Sequence, residues 1–129
     1  MDVLARMNAI FNGSTVSAEQ LAERLADPHC VETPIIAEVE GEVVGFTALR
    51  VVPSLFYNAP HAELTELFVE AAYRRRGIGK SLIAYALDLA RQAGAKEMMV
   101  LTGFDNHGAQ ALYREMGFEA DDLDMDRPL

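Results

Sequence analysis

The sequence predicts an α/β fold, a mixed and mostly antiparallel central sheet flanked by helices. Two observations carry that expectation. The run "PIIAEVEGEVVGFTALRVV" holds two apolar stretches around Gly41, the pattern of an antiparallel hairpin. Further on, strand-like "HAELTELFVE", helical "GKSLIAYALDLARQA" and strand-like "KEMMVLTG" follow one another. A strand–helix–strand crossover of that kind must run parallel.

In chain order, Val3, Leu4, Met7, Ile10 and Phe11 recur at helical spacing over residues 2 to 11, and "NGS" breaks that helix. Ser17 caps a second helix reaching about Ala26, with Gln20 at the capping-box position. Of the two hairpin strands, the second is nearly all apolar and is expected to be central in the sheet. "PSLFYNAP" is a loop bounded by Pro53 and Pro60. A third strand spans 61 to 70. The next helix turns Ile78, Leu82, Ile83, Ala86 and Leu89 or Ala90 inward and stops at Gly94, a left-handed cap. After the strand at 96 to 103, "NHGAQALYREM" forms a short helix with Ala109, Leu112 and Tyr113 on one side, stopped by Gly117. The acidic tail "FEADDLDMDRPL" begins a last strand and then frays into solvent.

With 129 residues, half of them apolar, the chain reads as one domain with a real core. No apolar run approaches the roughly 18 residues of a membrane helix, and "MDVLARMNAIF" lacks the basic head of a signal peptide, so the expectation is a cytoplasmic protein without a membrane partner. A net charge of −9 argues against nucleic acid and leans toward cationic acceptors. Single Cys30 excludes an internal disulfide or a CxxC site, and three scattered histidines, His61 and His107 among them, make no zinc site. No metal is expected.

Against that acidic background "YRRRGIGKS", residues 73 to 81, concentrates four of the eleven basic side chains. A glycine turn opening a helix aims free N–H groups and the positive end of the helix dipole at one spot, which suits phosphate. The stretch imitates a nucleotide P-loop, G-x-x-x-x-G-K-[ST], but Arg74 stands where that motif needs glycine, and the dinucleotide fingerprint fails at Leu82. What fits is R-x-x-G-x-G, Arg74 through Gly79. With its preceding strand, "LFVEAAYRRRGIGKSLIAYAL" resembles the pyrophosphate motif of the GNAT superfamily of acyl-CoA-dependent N-acetyltransferases. "NHGAQALYREMGF" resembles that family's Asn-x-x-Ala-x-x-Leu-Tyr-x-x-x-Gly-Phe ending. The resemblance covers residues 62 to 118 and is only topological before them. One departure is that family members open with a strand before the first helix, whereas this sequence starts almost inside that helix, so the strand is missing, truncated or supplied otherwise.

The resemblance implies acetyl transfer from acetyl-CoA to a primary amine by direct attack in a ternary complex. It places Arg74, Arg76, Gly77, Ile78, Gly79 and Lys80 on the coenzyme pyrophosphate, with Arg75 toward solvent or the 3′-phosphate. Leu67 and Val69 then pair with the pantetheine amides where two strands splay, an N–H near Phe68 faces the thioester oxygen, and Asn106 bonds the pantetheine. Tyr113 is the implied general acid. Glu63 and Glu66 are the two candidate bases; three apart on a regular strand they point to opposite faces, and a bulge would change that. Phe56 and Tyr57 belong to a loop placed to line an acceptor pocket. The acceptor is a small-molecule amine or a protein amine, and a homodimer is the family's common habit. The alternative is a sensor or binding module of the same fold that holds acyl-CoA without turnover.

Overall fold

A computed structural model describes residues 16–129; the helix expected over 2 to 11 lies outside them. Helix α1 (Ala18–Ala26) starts at Ser17, whose hydroxyl accepts from the Gln20 amide at 3.1 Å while the Gln20 side chain accepts from the Ser17 amide at 2.9 Å. Both partners of the expected capping box are therefore satisfied. Strands β1 (Glu32–Val39) and β2 (Glu42–Val52) pair antiparallel around Glu40 and Gly41, both at positive φ, the left-handed pair that matches a tight hairpin to the strand twist. β3 (His61–Val69) lies antiparallel beside β2, and β4 (Met98–Val100) parallel beside β3, giving the order β1-β2-β3-β4. β2 is central and buried over Val44–Leu49, as its apolar sequence requires.

Helix α2 (Ile78–Gln92) packs across β1, β2 and β3 through Leu82, Ile83, Ala86 and Ala90. It closes at Gly94 (φ 91°), with the Ala95 amide returning to the Ala90 carbonyl at 3.0 Å. Helix α3 (His107–Glu115) joins the same core: Tyr113 packs with Leu64, Ile83 and Ala86, and Phe118 sets its ring edge-on to Tyr113 at 5.6 Å.

Two expectations are corrected. The strand expected over 96 to 103 pairs only at Met98–Val100, because β3 and the chain after Val100 part company there. The tail beyond Phe118 forms no strand: Glu119, Asp121, Asp122, Asp124 and Asp126 repel one another and stay solvated, leaving Leu123 and Met125 exposed with them. Among the described residues the sheet opens at β1, with no strand before α1.

β2 and β3 approach closely at one point. A Cβ on Gly45 would stand 2.8 Å from the Phe68 carbonyl oxygen and 3.3 Å from the Val69 side chain. Backbone cannot yield as a side chain tip can, so Gly45→Ala is expected to cost about 1–3 kcal/mol, the usual range for overpacking. Urea unfolding measures it, and an unchanged midpoint would show that the strands part freely.

Candidate active site

The ladder between β3 and β4 ends at Leu64 opposite Val100. The next residue on β3, Thr65, is a bulge: against unbroken β2, Ala48 faces Glu66 and Leu49 faces Leu64, so Thr65 has no counterpart. A bulge bends its strand and sharpens its twist. At this place it turns β3 away from β4 and opens a crevice of about 320 Å³, lined by Leu64 to Leu67 on one side and Val100 to Gly103 on the other. Asn106, Ala109, Leu112 and Tyr113 of the α3 segment complete it. The far wall is held by Gln110, whose side-chain amide donates to the Gly103 and Phe104 carbonyls at 2.7 and 3.0 Å.

The bulge also decides which way the two glutamates face. β2 has regular alternation here, so Phe46, Ala48 and Arg50 share a face, and so do the residues opposite them, Phe68, Glu66 and Glu63. Glu63 and Glu66 thus lie on one face, not the two a regular strand gives. They are used differently. Glu66 lines the crevice with Tyr113, whereas Glu63 is ion-paired with Arg50 in a neighbouring cavity.

Thr47 fixes the bulge from behind. It is fully buried in β2, and its hydroxyl donates to the Glu66 carbonyl at 2.5 Å. That bond shows that the Glu66 carbonyl points toward β2, and the Glu70 amide likewise reaches back to Val44 at 2.8 Å. Since successive residues alternate, the amides and carbonyls of Leu67 and Val69 point toward the crevice side, while those of Phe68 point toward β2. The Phe68 ring is buried against Phe46, 6.3 Å between centroids. Thr47→Val removes this buried hydrogen bond, an expected loss of about 0.5–1.5 kcal/mol. Thr47→Ser should recover most of it in urea unfolding; equal stability of the valine variant would remove the hydroxyl from this role.

The basic stretch follows β3 beyond the crevice. A 3-10 turn at Ala71–Tyr73 leads into Arg74, whose Nε donates to the Val69 carbonyl at 2.9 Å and whose guanidinium stands 6.0 Å from the Phe68 ring. Arg75 sits at φ 64° and Gly77, the N-cap of α2, at φ 80°; Arg76 lies 5.1 Å over the Tyr73 ring. The first bond closing the helix runs from the Ser81 amide to the Gly77 carbonyl at 3.0 Å, so the amides of Ile78, Gly79 and Lys80 have no intrahelical acceptor. Lys80 reaches Glu115 of α3 at 2.7 Å, and a Cβ on Gly79 would meet Leu112 at 3.2 Å. These two contacts join the start of α2 to α3. Gly79 therefore permits helix–helix approach besides exposing its own amide.

Two titratable details complete the site. Burial first, and then the negative charge of Glu66, hold the Tyr113 phenol above its ordinary value. Asn106 caps α3 by accepting from the Ala109 amide at 3.2 Å, and it also lines the crevice. Among the described residues no group of three His, Cys, Asp or Glu side chains could hold a metal, and no helix is long and apolar enough to cross a membrane.

The two motif segments thus meet: the crevice between the parting strands holds the buried Tyr113, and the start of α2 lies against Leu112 in its wall. A family model described as Acetyltransferase (GNAT) family matches residues 4–118. The chain belongs to the GNAT acetyltransferase family. Over 84 residues it is 37% identical to N-acetyltransferase 8 of Homo sapiens, a stretch covering 65% of this chain and 37% of that protein. A putative acetyltransferase from Agrobacterium tumefaciens superposes with a TM-score of 0.85 at 25% identity, covering 98% of this chain and 91% of that one. AAC(6')-Iy, solved in complex with the bisubstrate analogue CoA-S-monomethyl-acetylneamine, shares the fold at TM-score 0.80 and 24% identity, covering 98% of this chain and 89% of that one.

Arg50 and Thr47 escaped the sequence reading, although the signal was present. They are the only charged residue and the only hydroxyl in the apolar run "VVGFTALRVV".

Proposed function

We propose that this GNAT chain transfers acetyl from acetyl-CoA to a primary amine, with Glu66 as base and Tyr113 as acid. The observation that carries the reading is that both side chains line the one crevice that opens where the β3–β4 ladder ends. The amides of Ile78, Gly79 and Lys80, at the positive end of α2, suit the coenzyme's pyrophosphate. The outward amides of Leu67 and Val69 suit the pantetheine, which would add to β3 as a strand does. A fold neighbour solved in complex with a coenzyme A bisubstrate analogue supports acetyl-CoA as the co-substrate.

In that arrangement Glu66, directly or through water, takes a proton from the incoming ammonium. The freed amine forms its bond to the acetyl carbon, the carbon–sulfur bond breaks, and Tyr113 protonates the departing sulfur; the second proton of the amine nitrogen then passes to the phenolate, and the first leaves Glu66 for solvent. The Leu67 amide is the donor placed to meet the carbonyl oxygen as it gains charge. A phenol held above its ordinary pKa suits this role, since it keeps its proton until a thiolate needs it.

The test is release of free thiol from acetyl-CoA across a broad panel of amines. Amine-dependent release is expected. Tight acetyl-CoA binding with no release for any amine would instead establish a binding module.

A further inference from the structure

Beside the crevice, on the face that carries Glu63 and Glu66, lies a second cavity of about 390 Å³ lined by Arg50, Val52, His61, Ala62, Glu63 and Met99. Its arginine is unusual in a chain of net charge −9. Arg50 stands directly opposite Glu63 in the β2–β3 register and is held by that carboxylate, whose side chain is 13% exposed while that of Arg50 is 41% exposed. One guanidinium edge contacts Glu63 through Nη2; a guanidinium has five N–H donors in a fixed fork, so most of them remain for another acceptor. Val52 and Met99 make the cavity partly apolar, and His61, steadied by the Tyr57 ring edge-on at 5.5 Å, forms its rim.

We propose that this cavity holds the carboxylate of the acetyl acceptor, so that the preferred acceptors are amines carrying a carboxylate a few bonds away, of the amino-acid type, with an apolar side chain. The inference rests on the acetyl-transfer reading above and names its substrate class. Arg50 pairs bidentately with the substrate carboxylate, a geometry that the planar fork matches and an ammonium does not. Glu63 is then a positioning residue that moors Arg50, and Val52 and Met99 take the apolar group. Distance allows this: because of the Thr65 bulge, Glu63 and Glu66 stand opposite Arg50 and Ala48, two residues apart on β2, roughly 7 Å at about 3.3 Å each, and the side chain of Arg50 together with a short acceptor spans that interval. The overall acidity that points toward cationic acceptors is a long-range effect, screened beyond about 8–10 Å at physiological salt. Inside the cavity, Arg50 decides.

The experiment compares matched acceptors, leucine against leucinamide and phenylalanine against phenylalaninamide, in the thiol-release assay. The amide's amine is the less basic, having no neighbouring carboxylate to hold its proton, so intrinsic reactivity favours the amide and a preference for the acid must come from the protein. We expect kcat/KM to be at least tenfold higher for each acid, and Arg50→Gln to bring the acid-to-amide ratio down to one or below, with the melting temperature confirming a folded variant. Arg50→Lys, which keeps the charge without the fork, should leave an intermediate ratio, and Glu63→Gln should raise KM for the acid more than it lowers kcat. Equal rates for acid and amide, or a preference that survives Arg50→Gln, would overturn the carboxylate site while leaving the acetyl-transfer reading standing. Absence of thiol release with every amine, charged or not, would overturn both.

Discussion

Replacing Tyr113 with phenylalanine is expected to lower kcat by on the order of 10²-fold, the usual contribution of a placed general acid, with little change in KM for acetyl-CoA. The ring itself is needed for packing: it fills the core beside Leu64, Ile83 and Ala86 and meets Phe118 edge-on. Phenylalanine keeps those contacts and removes only the hydroxyl, so a change in kcat reports proton transfer and not collapse of the crevice. The pH dependence gives a second check. Burial and Glu66 raise the phenol's pKa, whereas in the unfolded chain it returns to about 10. Stability tied to the neutral phenol is therefore complete below about pH 10 and declines as pH rises toward the raised value, because the unfolded phenol releases its proton first. The melting temperature of the wild type should fall relative to Tyr113→Phe only above that pH. A variant with unchanged kcat would remove the phenol from the reaction, whatever its pKa.

What the sequence disclosed and what it withheld divide along physical lines. Local signals were legible: the Ser17–Gln20 capping box, the turn at Gly41, the stop at Gly94 and the helix opened by Gly77 all depend on a few adjacent residues and appear as expected. The bulge at Thr65 was not, because a bulge exists only in relation to the partner strand, and "ELTEL" gives no sign that one residue lacks an opposite number. That one residue determines that Glu63 and Glu66 share a face and that β4 is short. The pairing of Glu63 with Arg50 was hidden for the same reason: the two are thirteen positions apart and meet only through the hairpin register. Lys80 shows the converse. Its place in a basic motif suggests an anion ligand, yet the structure directs its ammonium to Glu115, so the proposed pyrophosphate seat would consist chiefly of main-chain amides.

That last point leads to the strongest expected effect on coenzyme affinity. If amides at the start of α2 hold the pyrophosphate, a carboxylate planted among them should displace it without unfolding the helix. Gly77 is the position for this test. Nothing lies within 4 Å of a Cβ built there, whereas at Gly79 a side chain would push on Leu112 and confound binding with packing. Gly77 sits at φ 80°, a conformation that asparagine and aspartate tolerate better than other side chains, and it is the N-cap, where either can accept from the helix's first amides. Gly77→Asn and Gly77→Asp should therefore have similar melting temperatures. They differ in charge. A carboxylate about 4 Å from one phosphate charge costs about 4 kcal/mol at an effective dielectric constant of 20, which lowers coenzyme affinity by roughly 10³-fold. Calorimetric titration with coenzyme A should show Gly77→Asn binding with a modest loss and Gly77→Asp close to undetectable, the gap narrowing as salt is raised. Equal affinities for the two variants would mean that the diphosphate rests on the arginine side chains alone, and the main-chain seat would have to be given up.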